Sequence, residues 1–244
     1  MKTGIIIQAR MHSLRLPGKT MATISGKPSL WHLLARVKKA QGVDKIIVAT
    51  TTNKDDKNIL TLCKEEEISC FRGNEEDVLG RYISCAKEYQ LDVIIRVTAD
   101  NPLTDPSGIE CLIDAYNASG ADYIHNNHQK GWPFGTFAEL VTLKALSLAN
   151  NYSDKQQHRE HVTAFIREHP EQFKLLKVNA PDYLIRPNYY LTIDYPADLK
   201  LMRIIYQKFY NGSGVFSLRD VIAYLDENPS LVQTNAGLHQ GISE

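Results

Sequence analysis

The run Gly4 to Ala9 (GIIIQA) is apolar at nearly every position and passes directly into a polar, basic stretch, Arg10 to Lys19. Unbroken apolarity over so short a run is the pattern of a strand covered on both faces, which belongs to parallel sheets; a half-exposed strand alternates instead. Parallel neighbours need crossover helices between them. The chain offers them in turn. Leu30, Leu33, Leu34 and Val37 recur at helical spacing after Pro28, with Lys38 and Lys39 placed against the C-terminal dipole. Lys45 to Thr51 predicts a second strand, Asp55 to Glu66 a polar-faced helix, Ile68 to Arg72 a short strand and Glu75 to Tyr89 an amphipathic helix. Leu91 to Thr98 predicts a fourth strand, and Pro106 to Ala118 a helix that Asp105 caps. This alternation predicts an α/β fold with an open, doubly wound, mostly parallel sheet.

Sheets of that kind bind ligands beyond the C-terminal ends of their strands. Residues 8–19, 50–53, 72–74 and 98–102 are therefore expected to converge on one crevice. Later in the chain, Asn126 to Glu139 is loop-rich with exposed-looking aromatics. Gln156 to His169 predicts a helix, Asn188 to Asp194 a late strand, and Pro196 to Tyr210 and Ser217 to Glu227 two more helices, before a weakly ordered tail from Gln233. The expected organisation is one domain over 1–210, with an insertion near 126–145, and a C-terminal helix and tail over 211–244.

The 28 basic and 28 acidic residues cancel, so no global field draws the chain to nucleic acid or to an anionic membrane. No run approaches the roughly 20 apolar residues that span a bilayer, and the start meets Arg10 and His12 too soon for a signal peptide. A cytoplasmic location is expected. Cys63, Cys70, Cys85 and Cys111 lack CxxC spacing and read as small core residues.

Any phosphate binding must then be local, and the first loop supplies it. Arg10, Arg15 and Lys19 lie in one loop at a strand end, with Gly18 and Ser13 leaving room for phosphate oxygens to approach. A triphosphate carries about four negative charges, which forked guanidiniums and an ammonium bind most strongly. The Gly-Lys-Thr at Gly18 to Thr20 is not a Walker A loop, because Ser13 stands where the leading glycine belongs. Asp100 and Asp194 each follow a strand pattern and are candidates to hold a divalent cation; helix capping is the structural alternative for either.

The loop QARMHSLRLPGK at Gln8 to Lys19 resembles the signature of the cytidylyltransferases of the spore-coat polysaccharide type, relatives of the synthetases of CMP-activated acidic sugars. The likeness continues through IIVATTTN, FRGNEEDVLGRY, RVTADNPLTDP, REHVTAFIREHPE and LTIDYPADL, up to about Tyr210. The resemblance implies a Rossmann-like nucleotidyltransferase fold, Mg²⁺ as cofactor on Asp100 and Asp194, and a homodimer. It implies transfer of a nucleoside monophosphate from an NTP, CTP by likeness, to a sugar, sugar phosphate or polyol phosphate in surface polysaccharide or glycoconjugate precursor synthesis.

Arg10, Arg15 and Lys19 are expected to act on the triphosphate, with Gln8, Ala9, Ser13, Thr50, Thr51, Arg72, Gly73, Asp77 and Arg81 on the nucleotide. Asp77 and Arg81, at i,i+4, also fit a mere surface ion pair. Trp132, Glu139, Arg159, Glu160 and His161 are expected at the acceptor, through stacking, orientation or deprotonation of a hydroxyl. His12, His32, His125, His128, His158, His169 and His239 show no metal-ligand spacing and read as surface or packing residues. His12 stands where relatives carry glycine, and Phe134 and Phe137 where they carry carboxylates, which predicts a less polar acceptor pocket and an unusual acceptor. With Trp132 the two rings also offer an apolar patch for a dimer. Two other readings remain open: a nucleotide-sugar glycosyltransferase, for which D-x-D is missing at Asp100-Asn101-Pro102, and a nucleotide-binding module without catalysis.

Overall fold

Strand β1 (Thr3–Gln8) is buried from Thr3 to Ile7, and it organises everything around it. Chain order continues with a small hairpin, β2 (Thr23–Ile24) and β3 (Lys27–Pro28), then α1 (Ser29–Val37), β4 (Lys45–Thr51), α2 (Lys57–Glu65) and β5 (Ser69–Gly73). Next come α3 (Val78–Glu88), β6 (Val93–Thr98), α4 (Pro106–Ser119), β7 (Tyr123–His125), β8 (Glu139–Thr142), α5 (Leu143–Tyr152), α6 (Gln156–Glu160) and α7 (Ala164–Glu168). The last elements are β9 (Leu175–Lys177), α8 (Pro196–Phe209), α9 (Leu218–Glu227) and α10 (Pro229–Ala236). This computed structural model describes residues 1–127, 129–153, 155–212 and 215–239; His128 and the end of the expected tail, 240–244, lie outside them. No helix among the described residues is long and apolar enough to cross a membrane.

The main sheet has seven strands in the order β5-β4-β1-β6-β8-β7-β9. β1 pairs parallel with β4 on one side and β6 on the other, while β8 runs antiparallel to both β6 and β7. Successive side chains of a strand point to opposite faces. Ile5 and Ile7 therefore enter one core, with Leu30, Leu33, Ile59 and Leu112, and Ile6 enters the other, with Leu79, Tyr82, Leu146 and Ile166. Full burial of each such isoleucine stabilises the fold by roughly 1.5–3 kcal/mol. Because the chain leaves β1 toward β4 and later returns to β6 on its other side, the crevice at the switch point opens between the C-terminal ends of β1 and β6.

Several expectations are corrected. The helix over 156–169 is two short helices, because Thr163 turns inward to donate to the buried Glu139 and the chain breaks at His161. Asn188 to Asp194 is not a strand: Tyr190 makes a single bridge to Phe134, Leu191 N–H donates to the Phe134 carbonyl and Ile193 N–H to that of Asp100. The tail from Gln233 is helical through Ala236, and Asn235 and His239 are buried. The aromatics of 126–139 are not exposed. Trp132 is 3% exposed, with Nε1 donating to Asp105, and it joins α8 and α9 in a third apolar cluster against which Phe137 packs. Phe134 lies edge-on to Phe137, and both are half-buried rather than fully exposed. Short elements without a long periodic pattern, β7, β8, β9, α5 and the hairpin, were not expected.

Candidate active site

Beyond Gln8 the chain leaves the sheet, and Gly18 brings it back with a left-handed φ of 75°, its N–H bonded to the Met11 carbonyl at 3.0 Å. Glycine adopts that conformation without strain. The following 3₁₀ turn, Lys19–Met21, directs Lys19 under the loop, and Thr20 Oγ1 pins it by donating to the Arg10 carbonyl at 2.9 Å.

Lys19 Nζ donates to Asp100 Oδ2 at 2.7 Å and to Asp194 Oδ1 at 2.8 Å. Arg15 Nη2 donates to the same Asp194 oxygen at 2.8 Å, and its guanidinium lies 5.1 Å over the Tyr195 ring. Asp100 comes directly from β6, and Asp194 is brought to it by the Ile193 to Asp100 backbone bond at 2.9 Å. Burial lowers the Lys19 pKa, but the charges of Asp100 and Asp194 outweigh it and raise the ammonium above its usual range. Burial pushes Asp100 up, yet the Lys19 charge and hydrogen bond hold it below the usual carboxylate range. Lys19 and Asp100 are therefore both ionised at neutral pH.

These residues line a cleft of about 400 Å³ with Gln8, Ala9, Arg10, Ser13, Arg81, Glu160 and His161. Arg81 projects from α3, is 4% exposed and donates to the Asn74 carbonyl at 2.7 Å. Gln8 Oε1 and Arg81 Nε are buried and have no hydrogen-bond partner among the described residues, so the cleft wall keeps an acceptor and a donor unspent. Glu160 and His161 reach the cleft from the end of α6.

Among the described residues no group of three or more His, Cys, Asp or Glu side chains is arranged to hold a metal. Two carboxylates do converge on one cationic nitrogen, each within 2.8 Å of Lys19 Nζ. A pair of carboxylates completed by water and phosphate oxygens is the donor set that Mg²⁺ takes in phosphoryl-transfer sites, so Asp100 and Asp194 fit it.

Other expected site residues lie elsewhere. Thr50 and Thr51 are buried, and both hydroxyls donate to Asp56 Oδ2, at 2.8 and 2.5 Å. Arg72 donates to the Thr51 and Asn53 carbonyls, and Gly73 is packed under Arg81, whose Cγ lies 2.9 Å from where a Cβ would stand. Asp77 caps α3 and pairs with Arg159, not with Arg81; Arg159 also donates to Asn150 at 2.6 Å. Trp132 belongs to the third cluster. Glu139 is 3% exposed and does not line the cleft; it pairs with Arg96 and accepts from Tyr123 and Thr163. Burial raises its pKa, but Arg96, the Tyr123 hydrogen bond and the Arg167 charge bring it down to about 2, which makes it a permanent anion rather than a base. Phe134 and Phe137 do not line the cleft.

Thr20 and Val78 line the cleft from outside the segments expected there, while His12, Leu14, Thr98 and Ala99 lie within those segments without an expected role of their own. His12 bonds Asp55 at 3.0 Å and lies 3.3 Å from Glu75, bridging the loops after β1, β4 and β5. Its position inside the basic loop was the available signal.

The sequence profile described as Cytidylyltransferase matches residues 4–240. An uncharacterized protein of Methanocaldococcus jannaschii is 38% identical over 240 residues, covering 98% of this chain and 97% of that protein. The spore coat polysaccharide biosynthesis protein SpsF of Bacillus subtilis is 33% identical over 229 residues, covering 92% and 94%. The solved structure of a cytidylyltransferase from Leptospira borgpetersenii superposes with a TM-score of 0.88 at 31% identity over 100% of both chains. The chain therefore belongs to the cytidylyltransferase family.

Proposed function

We propose that this protein transfers a cytidylyl group from CTP to a sugar-type acceptor and releases pyrophosphate. The observation that carries the reading is the convergence of Asp100 and Asp194 on Lys19 at the mouth of a basic strand-end loop. In the reaction an acceptor oxygen forms a bond to the α-phosphorus, and the bond from that phosphorus to the bridging oxygen breaks, its electron pair leaving with pyrophosphate. Arg10, Arg15, Lys19 and Ser13 hold the triphosphate, and charge-assisted bonds from the first three offset the charge that moves onto the leaving group. Asp100 and Asp194 would hold Mg²⁺, which supplies further charge neutralisation at the phosphoryl oxygens. Gln8 and Arg81, with their unspent polar atoms, meet the nucleoside.

Glu160 and His161 face the cleft and orient the acceptor. A phosphate acceptor is already ionised; a hydroxyl acceptor would pass its proton to one of these two side chains. Most of the rate gain is then positional and electrostatic. The test is pyrophosphate release with Mg²⁺ and each of CTP, UTP, ATP and GTP against sugar, sugar phosphate and polyol phosphate pools. Acceptor-dependent release with CTP supports the reading; CTP binding without release from any pool refutes it.

A further inference from the structure

Asp198 stands in the first turn of α8 and is 1% exposed. Its Oδ2 accepts the backbone N–H groups of Asp194 at 2.8 Å and Tyr195 at 2.7 Å, which is the work of a helix cap. Capping leaves Oδ1 free, and in an exposed helix start water would satisfy it. Here Asn235 Nδ2 donates to Oδ1 at 2.7 Å and His239 Nε2 at 2.9 Å, from 37 and 41 residues further along the chain. A carboxylate only accepts, so both contacts are donations to Asp198. Asn235 is 1% exposed and His239 0%, so these bonds are shielded from water.

His239 does more than complete the carboxylate. Its ring stacks on Tyr190 at 4.6 Å and 12°, and meets Tyr195 edge-on at 5.6 Å and 75°. Tyr195 is the ring under the Arg15 guanidinium, and Arg15 is the residue that donates to Asp194. Asn235 Nδ2 also donates to the Tyr190 carbonyl at 2.9 Å. The segment 188–195 has no strand ladder to hold it. Asp194 therefore rests on a carboxylate and a ring that are both supported from the far end of the chain.

We propose that Asn235 and His239 are positioning residues, a latch that fixes the Asp194 carboxylate through Asp198 and Tyr195. The proposal rests on the role given to Asp194 above. Were the contact only a means of docking α10, its loss would lower stability and leave Asp194 where it is.

The test compares wild type, His239→Ala and His239→Gln, the last of which restores an amide donor. Hydrogen exchange is followed in peptides spanning 191–196 and 45–51, together with kcat and KM for CTP well below the melting temperature. The expected result for His239→Ala is exchange at 191–196 faster by about tenfold with 45–51 unchanged, and kcat lower by about tenfold with KM for CTP within about twofold. His239→Gln recovers most of both. Unchanged exchange at 191–196, or faster exchange with wild-type kcat, overturns the latch. If the wild type releases no pyrophosphate, the proposed function fails, and exchange alone decides whether the latch holds the segment. Should His239→Ala not fold, Asn235→Ala removes one donor, keeps the ring stack and takes its place.

Discussion

Replacing Glu139 by glutamine separates an acceptor-site role from a structural one. Glu139 pairs with Arg96 inside the sheet, at 3% and 16% side-chain exposure, and also accepts from Tyr123 and Thr163. Its pKa falls from 4.5 to about 2, and at about 1.4 kcal/mol per unit this is about 3 kcal/mol of stability tied to its ionised form. Glutamine keeps the shape and still accepts from the two hydroxyls, but it leaves the Arg96 charge buried without a counter-ion, a loss of about 3–5 kcal/mol in comparable pairs. That is a large part of the roughly 5–15 kcal/mol that stabilises a typical domain.

The assay is urea unfolding at pH 7, read as the midpoint shift at constant slope, with kcat measured on folded protein. Expected are a loss of about 3 kcal/mol and a kcat within about threefold of wild type. Adding Arg96→Met removes the orphaned charge and regains most of the loss. The pH profile gives an independent check of sign. A depressed carboxyl stabilises fully above its unfolded pKa and loses that contribution as pH falls through its folded one. Between about pH 5 and 2 the wild type therefore declines more steeply than Glu139→Gln, by up to one proton in the slope. A stability change under about 1 kcal/mol with kcat down about a hundredfold would refute this reasoning and return Glu139 to the acceptor site.

Lys19→Met takes away the cation shared by Asp100 and Asp194, leaving Asp194 only Arg15, and removes a proposed triphosphate donor, so kcat falls about 10²- to 10³-fold in the pyrophosphate assay; turnover near wild type would remove Lys19 from the chemistry. Hydrogen bonding to Asp55 raises the His12 pKa, against desolvation and with help from the Glu75 charge. A raised imidazole stabilises below its unfolded pKa and loses that contribution as pH rises through the folded one, so the bridge weakens above the normal histidine range. An NMR titration finds His12 above 6.5 in wild type and lower in Asp55→Asn, and equal midpoints would contradict the bridge. Gly135 has φ 89°, and a Cβ there would stand 2.3 Å from the Leu191 carbonyl carbon. Gly135→Ala therefore costs about 2–4 kcal/mol by thermal unfolding, and an unchanged melting temperature would show that the contact is not tight.

Legibility followed the range of the interactions. Gly4 to Ala9, Lys45 to Thr51 and Pro196 to Tyr210 were readable because their burial pattern repeats within the segment, and the structure places strands or helices within a residue or two of each. The loop from Gln8 to Lys19 was equally plain as a wall of the cleft, since its charged residues follow closely along the chain. Glu139, Trp132, Thr50 and Thr51 could not be assigned in this way. Each is a polar or amphipathic group at an expected strand end or loop, and its partner, Arg96, Asp105 or Asp56, is chosen only when the chain folds.

The same reasoning explains why Asp194 stands beside Asp100 and Lys19 without the strand expected before it. The residues before it form no strand; the segment instead hangs from the Phe134 and Asp100 carbonyls by one hydrogen bond each and from Asp198 by two, all of 2.7 to 2.9 Å. What the sequence carried was a second acid able to stand opposite Asp100. What it did not carry was the support, which comes from Gly135 packed against 191–192 and from His239 beneath Asp198. A functional group built on irregular backbone has no period to advertise it, and its geometry is held by residues remote in sequence. The rigid half of this site, on β1 and β6, is therefore written locally, and the half on 188–195 is written in the rest of the chain.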